Sequence, residues 1–128
     1  MTLLLIASAL LGFGSALGHA FLGERFVLGP IFAAPGENRT LATPYMRRLL
    51  RWVWHLPSFA WAQIATATVW LAFAPQDFDI GARSLLLYFG IGIYLTGAVF
   101  NLFAMRRPHV GNILLTLAAL SLWFGMNG

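Results

Sequence analysis

Three histidines and one glutamate are the residues of this sequence best suited to chemistry, and all four lie near the edges of apolar stretches. They are His19, Glu24, His55 and His109. Neutral imidazole is the commonest metal ligand in proteins, and a carboxylate can complete such a site. Helical metal sites take His and Glu from different helices, and two facing histidines can ligate haem. A metal or haem site at these residues is therefore one alternative, and the cofactor's identity stays open.

A structural role is the competing interpretation of the same residues. Each histidine is alone in its stretch, because the chain contains no HxxxH, ExxH or HExxH spacing. Glu24 follows His19 by five residues, and five is not a same-face spacing on a helix. The two side chains meet only if the helix is broken near Gly23 or if Glu24 reaches across to a second helix. The natural partner there is Arg51, or Arg25 beside Glu24 in the loop. The structural interpretation is a buried pair, Glu24–Arg51 or Glu24–His55.

The composition indicates an integral membrane protein. Hydrophobic residues make up 59% of the 128 residues and charged residues only 9%, whereas an ordinary soluble domain has about 25% charged residues. The chain has no cysteine, which excludes disulfides, thiolate metal sites and a thiol nucleophile. All eight basic residues are arginines at the ends of apolar runs, so membrane topology explains the net charge of +4 better than nucleic-acid binding does.

Four stretches are long and apolar enough to cross a bilayer, since a span needs about 20 such residues. They cover roughly 2–22, with an optional extension to residue 28, then 49–74, 84–105 and 109–126. Residues 29–44 contain several prolines and read as a loop, 75–81 as a short turn and 106–108 as a tight break. The prediction is an all-α membrane four-helix bundle with antiparallel up-down topology, formed by one domain of residues 1–128.

The arginines predict the orientation of the spans. Only Arg83 lies in the second loop, whereas the first loop, the start of span two and the third loop hold the other seven: Arg25, Arg39, Arg47, Arg48, Arg51, Arg106 and Arg107. Basic residues of short loops favour the cytoplasmic side. Both termini are therefore expected in the periplasm, and all three histidines toward the cytoplasmic side.

Small or polar residues recur at helical spacing in every span and predict the packing faces. The predicted faces are Ser8, Gly12, Ser15 and His19 in span one; Arg51, His55, Ser58, Ala62 and Thr66 in span two; Gly90, Tyr94, Gly97 and Asn101 in span three; and His109, Asn112, Thr116, Trp123 and Asn127 in span four.

Three segments resemble a family of small, uncharacterised four-span proteins of the bacterial inner membrane. They are GHAFLGERFVLGPIF, LLRWVWHLPSFAWA and RRPHVGNILLTLAALSLWFG. The matching motifs are a His followed by Gly-Glu-Arg, a Trp-His pair and a basic-His entry into the last span. The first motif falls on His19 and residues 23–25, the second on residues 54–55, and the third on Arg107 and His109. Pro108 and residues 110–111 depart from the family pattern. The resemblance implies that the His and Glu set is shared, and it brings no activity with it.

Three functions are compatible with these features. The first is an accessory or structural membrane component that contacts the lipid bilayer and forms a homo-oligomer or part of a larger complex. The second is a haem- or metal-binding redox or metal-handling protein that uses the four-residue set. The third is a small proton-coupled transporter. Transporters place coupling residues near the bilayer midplane, and here the ionisable groups are predicted toward one side.

Overall fold

The protein is all-α in the computed structural model, which describes residues 1–34, 36 and 38–127. Its longer helices are α1 (Thr2–Gly23), α4 (Pro44–Phe73), α5 (Ile80–Met105) and α6 (Val110–Asn127). Shorter ones are α2 (Gly29–Ala33) and α3 (Arg39–Ala42), with a π-helical segment at Glu24–Leu28 and a 3₁₀ turn at Pro75–Asp77. Glu37 and Pro35 of the predicted first loop lie outside the described residues.

Four helices are long and apolar enough to cross a membrane, judged by length and composition. They are Thr2–Ala33, Pro44–Phe73, Ile80–Met105 and Val110–Asn127. Each overlaps one predicted span, which confirms four candidate spans. The first helix is longer than expected, because α1, the π segment and α2 follow one another without a break. Part of the predicted loop is therefore helical.

The helices pack as a bundle, which confirms that part of the predicted fold. The first helix packs along α4 and along α6, and α5 packs along α6. The interior is formed by apolar residues such as Leu5, Trp61, Tyr94, Leu115 and Leu122. Large apolar side chains also cover the outer faces, for example Leu3, Leu10, Leu17, Phe89 and Phe103. Such a surface suits contact with lipid chains, because an apolar side chain that faces lipid carries no unfavourable solvation free energy.

The ends of α5 show how local sequence sets the helix boundaries. Asp79 precedes α5, and its Oδ1 accepts a hydrogen bond from the Ala82 amide at 2.7 Å, which satisfies one of the amides left open at a helix start. Arg106 follows the helix in the left-handed region, with φ of 51°. That residue opens the tight break predicted at 106–108.

The predicted packing faces of spans two and four need correction. On α4 the buried residues are Ser58, Trp61, Ala65, Thr68 and Leu71, whereas Thr66 is exposed. The Thr66 hydroxyl donates to the Ala62 carbonyl of its own helix, and a hydroxyl satisfied in this way can face lipid.

The buried face of α6 consists of small and aliphatic residues rather than polar ones. Its members are Leu115, Ala118, Ala119, Leu122 and Gly125. Trp123, which was predicted to face the bundle, is exposed. The error has a physical reason: small side chains such as Ala118, which is fully buried, allow close helix approach in lipid without any polar contact.

Candidate functional site

One carboxylate joins the first helix to α4. The Glu24 Oε1 atom lies 2.8 Å from Arg51 Nε and 3.0 Å from His55 Nε2. Both nitrogens can donate, since a guanidinium carries only donors and the His55 ring bonds through an Nε2–H. The His55 side chain is 18% exposed, that of Glu24 36% and that of Arg51 51%. The three groups therefore form a half-buried cluster that we call the Glu24 site.

The π segment determines where Glu24 lies. Glu24 is its first residue, and the Gly29 amide bonds to the Glu24 carbonyl, one residue further back than in an α-helix. A Cβ on residue 29 would lie 2.8 Å from that carbonyl oxygen, so glycine permits the wide turn. Single π turns within α-helices occur frequently at functional sites. Pro30 lies just beyond it, at the start of α2.

Gly23 allows the close approach of α1 to α4. A Cβ on Gly23 would overlap the indole ring of Trp54. The Arg51 guanidinium is held in addition over the ring of Phe32, at 5.3 Å from its centroid. The two helices thus contact each other through a small residue and an aromatic ring beside the ion pair, and the pair is positioned by packing as well as by charge.

His19 is packed against α4 rather than bonded to Glu24. Its Nδ1 lies 3.0 Å from the Ser58 Oγ. Its ring stacks on Trp54 at a centroid distance of 5.1 Å and meets the edge of Trp61 at 5.3 Å. Trp54, Ser58 and Trp61 recur at helical spacing along one face of α4. They surround the imidazole with two indoles and one hydroxyl.

His109 takes part in the start of α6. Its backbone amide donates to the Asn112 side chain at 3.0 Å, and its Nδ1 accepts from the Gly111 amide at 3.2 Å. Asn112 in turn donates to the Ala98 carbonyl at 2.6 Å and so links α6 to α5. The polar contacts of His109 that the structure describes are all local ones.

The Arg51 guanidinium occupies the carboxylate that a cation at the Glu24 site would need. Within residues 1–34, 36 and 38–127, no group of three or more His, Cys, Asp or Glu side chains has the arrangement of a metal site. The Glu24 Oε1 already accepts from a guanidinium, whose positive charge competes with a bound cation. A metal site of His19, Glu24, His55 and His109, and a haem site, stay predictions.

Two features of the site were missed from the sequence, namely the packing of Trp54 and of Trp61 against the His19 ring. Tyr94, which was predicted on the packing face of span three, is fully buried in the bundle. The repeat of Trp54, Ser58 and Trp61 on the face that carries His55 was the available signal.

Comparison of the chain with protein-family models, with curated proteins and with solved structures finds no match. The resemblance to a family of four-span inner-membrane proteins therefore rests on the three sequence segments, together with four long apolar helices consistent with a small four-span membrane protein.

Proposed function

We propose that this protein is an accessory or structural component of a bacterial inner membrane. In this proposal residues 1–128 form one domain of four alternating up-down spans, with both termini in the periplasm. The Glu24 site lies at the cytoplasmic end and locks the first helix to the second span. The chain works as a homo-oligomer or within a larger membrane complex, through its lipid-facing and partner-facing helix surfaces.

The observation that carries this proposal is the mutual neutralisation of the charges at the Glu24 site. A single oxygen of Glu24 accepts from Arg51 and from His55 across the contact between two helices. An ionisable group inside a span is costly and is retained only when it is paired or functional. Here each charge has its partner in the neighbouring helix, which is the arrangement expected of a lock between helices.

Metal handling is the second candidate, because His55 Nε2 and Glu24 Oε1 converge within 3.0 Å of each other. A metal ion would have to displace the Arg51 guanidinium from the carboxylate. The third function, proton-coupled transport, would require the titrating group to alternate between the two sides of the membrane, and the Glu24 site is proposed at one end of the bundle.

An absorption spectrum with metal analysis separates the first two candidates. The protein is purified in mild detergent from its own membranes, and we expect it to be colourless and free of stoichiometric metal. A haem band, or near-stoichiometric metal that is lost in His19→Ala or His55→Ala, would replace the accessory role by a redox or metal-handling function. Thr66→Ala serves as the control, because it removes an exposed polar side chain that bonds within α4 and lies outside the candidate metal set.

A pair of reporter fusions tests the orientation. A reporter that is active only in the cytoplasm should stay silent at the C-terminus, because the positive-inside distribution of arginines predicts a periplasmic terminus. The same reporter inserted between α5 and α6, beside Arg106 and Arg107, should be active. A bright C-terminal fusion would invert the proposed topology and would move the Glu24 site to the periplasmic end.

A further inference from the structure

Two buried hydroxyls at the centre of the bundle have no protein partner. Ser15 Oγ and Tyr94 OH are both buried, and within the described part of the chain neither makes a hydrogen bond. Other buried hydroxyls of the same interior are satisfied, since Ser8 donates to the Ala118 carbonyl and Thr68 to the Ile64 carbonyl. Buried polar groups are normally bonded either to protein or to internal water.

Both hydroxyls lie at the inner face of α1. The Tyr94 hydroxyl reaches across from α5 to Gly12, where an added Cβ would overlap it. Ser15 lies one helical turn from Gly12, and His19 lies one turn beyond Ser15. Residues three or four apart on a helix are neighbours, with Cβ atoms about 5–6 Å apart. Tyr94, Ser15 and His19 therefore follow one another along the interior.

The same line of polar groups continues to the Glu24 site. His19 bonds to Ser58 on α4 at 3.0 Å. Ser58 lies one turn from His55, and His55 bonds to Glu24 at 3.0 Å. The Glu24 side chain is 36% exposed, so this end of the line is open. Polar groups thus extend from a half-buried carboxylate to a fully buried phenol.

The opposite end of the interior is lined mainly by apolar residues, around a small cavity of about 30 Å³ that Arg83 also borders. Leu5 and Leu71 are both buried there. A Cβ on Gly125 would meet Leu5 atoms at 3.0–3.1 Å, so α6 fits closely against α1 at this level. Water that enters at the Glu24 end therefore meets an apolar barrier beyond Tyr94.

We propose that the bundle contains a hydrated half-channel, in which water enters at the Glu24 site and is bound by Ser15 and Tyr94. Its ligand is water, and its polar wall is formed by His55, Ser58 and His19. This inference goes beyond the accessory role and does not rest on it. Bound water would form hydrogen bonds with both hydroxyls, which would have no partner in a dry bundle.

The natural chain lacks cysteine, so single thiols can be placed in the interior without further changes. The test compares Ser15→Cys with Ser8→Cys. Both serines lie on the inner face of α1 and are buried, but only Ser8 has a protein partner. The probe is Ag⁺, which reacts with thiols that water can reach. Reaction is read by mass spectrometry as the fraction of thiol that resists alkylation after unfolding in detergent.

We expect the Ser15→Cys thiol to react at least tenfold faster than the Ser8→Cys thiol. The protein is also placed in sealed vesicles, prepared separately with either face outward. External Ag⁺ should reach the Ser15→Cys thiol only when the side that carries the Glu24 site faces outward. Equal rates for the two thiols, an unreactive Ser15→Cys, or entry from the opposite side would each overturn the half-channel.

A second measurement needs no substitution in the interior. Brief radiolysis of water generates hydroxyl radicals that modify tyrosines adjacent to bound water. Tyr94 of the unaltered protein should be modified at a rate that its complete burial does not predict. Absence of modification at Tyr94 would contradict the proposal even if the cysteine variants failed to fold.

Discussion

Gly12→Leu is expected to cause the largest loss of stability of any single substitution considered for this protein. Gly12 is buried where three helices meet, and a Cβ there would overlap the Tyr94 hydroxyl and lie 3.2 Å from the Ala65 Cβ. A leucine must therefore push α5 or α4 away from α1. Overpacking of this kind costs about 1–3 kcal/mol, and we expect the upper end of that range. The measurement is the unfolding free energy in mixed detergent micelles, read by circular dichroism.

Gly14→Leu is the matched control for that substitution. Gly14 lies two residues away in the same helix, and a Cβ there meets no atom within 4 Å among the described residues. Both changes replace glycine by leucine in α1, so their effects on helix propensity are the same. We expect Gly14→Leu to be neutral or stabilising. An equal loss of stability in the two variants would show that Gly12 is not at a close helix contact.

Glu24→Gln is expected to lower the unfolding free energy by about 1–2 kcal/mol. The substitution removes a charge that two donors share, and hydrogen bonds to charged groups contribute about 1.5–3 kcal/mol each. The expected loss is smaller than that sum, because Arg51 is about half exposed and water can solvate it when the carboxylate is gone. The glutamine oxygen also keeps one acceptor in place.

Glu37→Gln is the control for Glu24→Gln, since it removes the same charge from the loop predicted by the sequence, and we expect it to have the smaller effect. Equal effects would contradict a structural role for the Glu24 site. A double-mutant cycle sharpens the result: if the ion pair carries the stability, Glu24→Gln combined with Arg51→Gln should cost less than the two single losses added together. Strict additivity would mean that the two side chains act independently in the membrane.

Gly12 and Glu24 lie at different levels of the contact between the first helix and α4. Gly12 lies at the level of Tyr94, deep in the bundle, whereas Glu24 lies at its exposed end. A variant at one level should therefore leave the other level's contacts in place. If both predictions hold, the contact of the first helix with α4 is maintained by close packing in the interior and by charge at the end.

The partners of Glu24 were within reach of sequence analysis, but its geometry was not. The five-residue gap from His19 excluded a shared face on a regular helix, which left Arg51, Arg25 and His55 as alternatives. In the structure Glu24 contacts both. The sequence at Glu24–Leu28 has no local pattern that predicts a π turn, because the formation of such a turn depends on packing against the neighbouring helix. The helix consequently continues to Ala33 through a glycine and a proline that read as a loop.

Composition and charge determined the class of this protein by themselves. A chain with 59% hydrophobic residues, 9% charged residues and four apolar stretches indicates a multi-pass membrane protein whatever its tertiary contacts are, because lipid selects for hydrophobic length. Only the tertiary structure decided which polar residues meet. The stack of His19 on Trp54, the inward position of Thr68 and the reach of Tyr94 to Gly12 depend on the rotation and depth of each helix. In lipid those variables are set by packing between helices, and hydropathy along one helix carries little information about them.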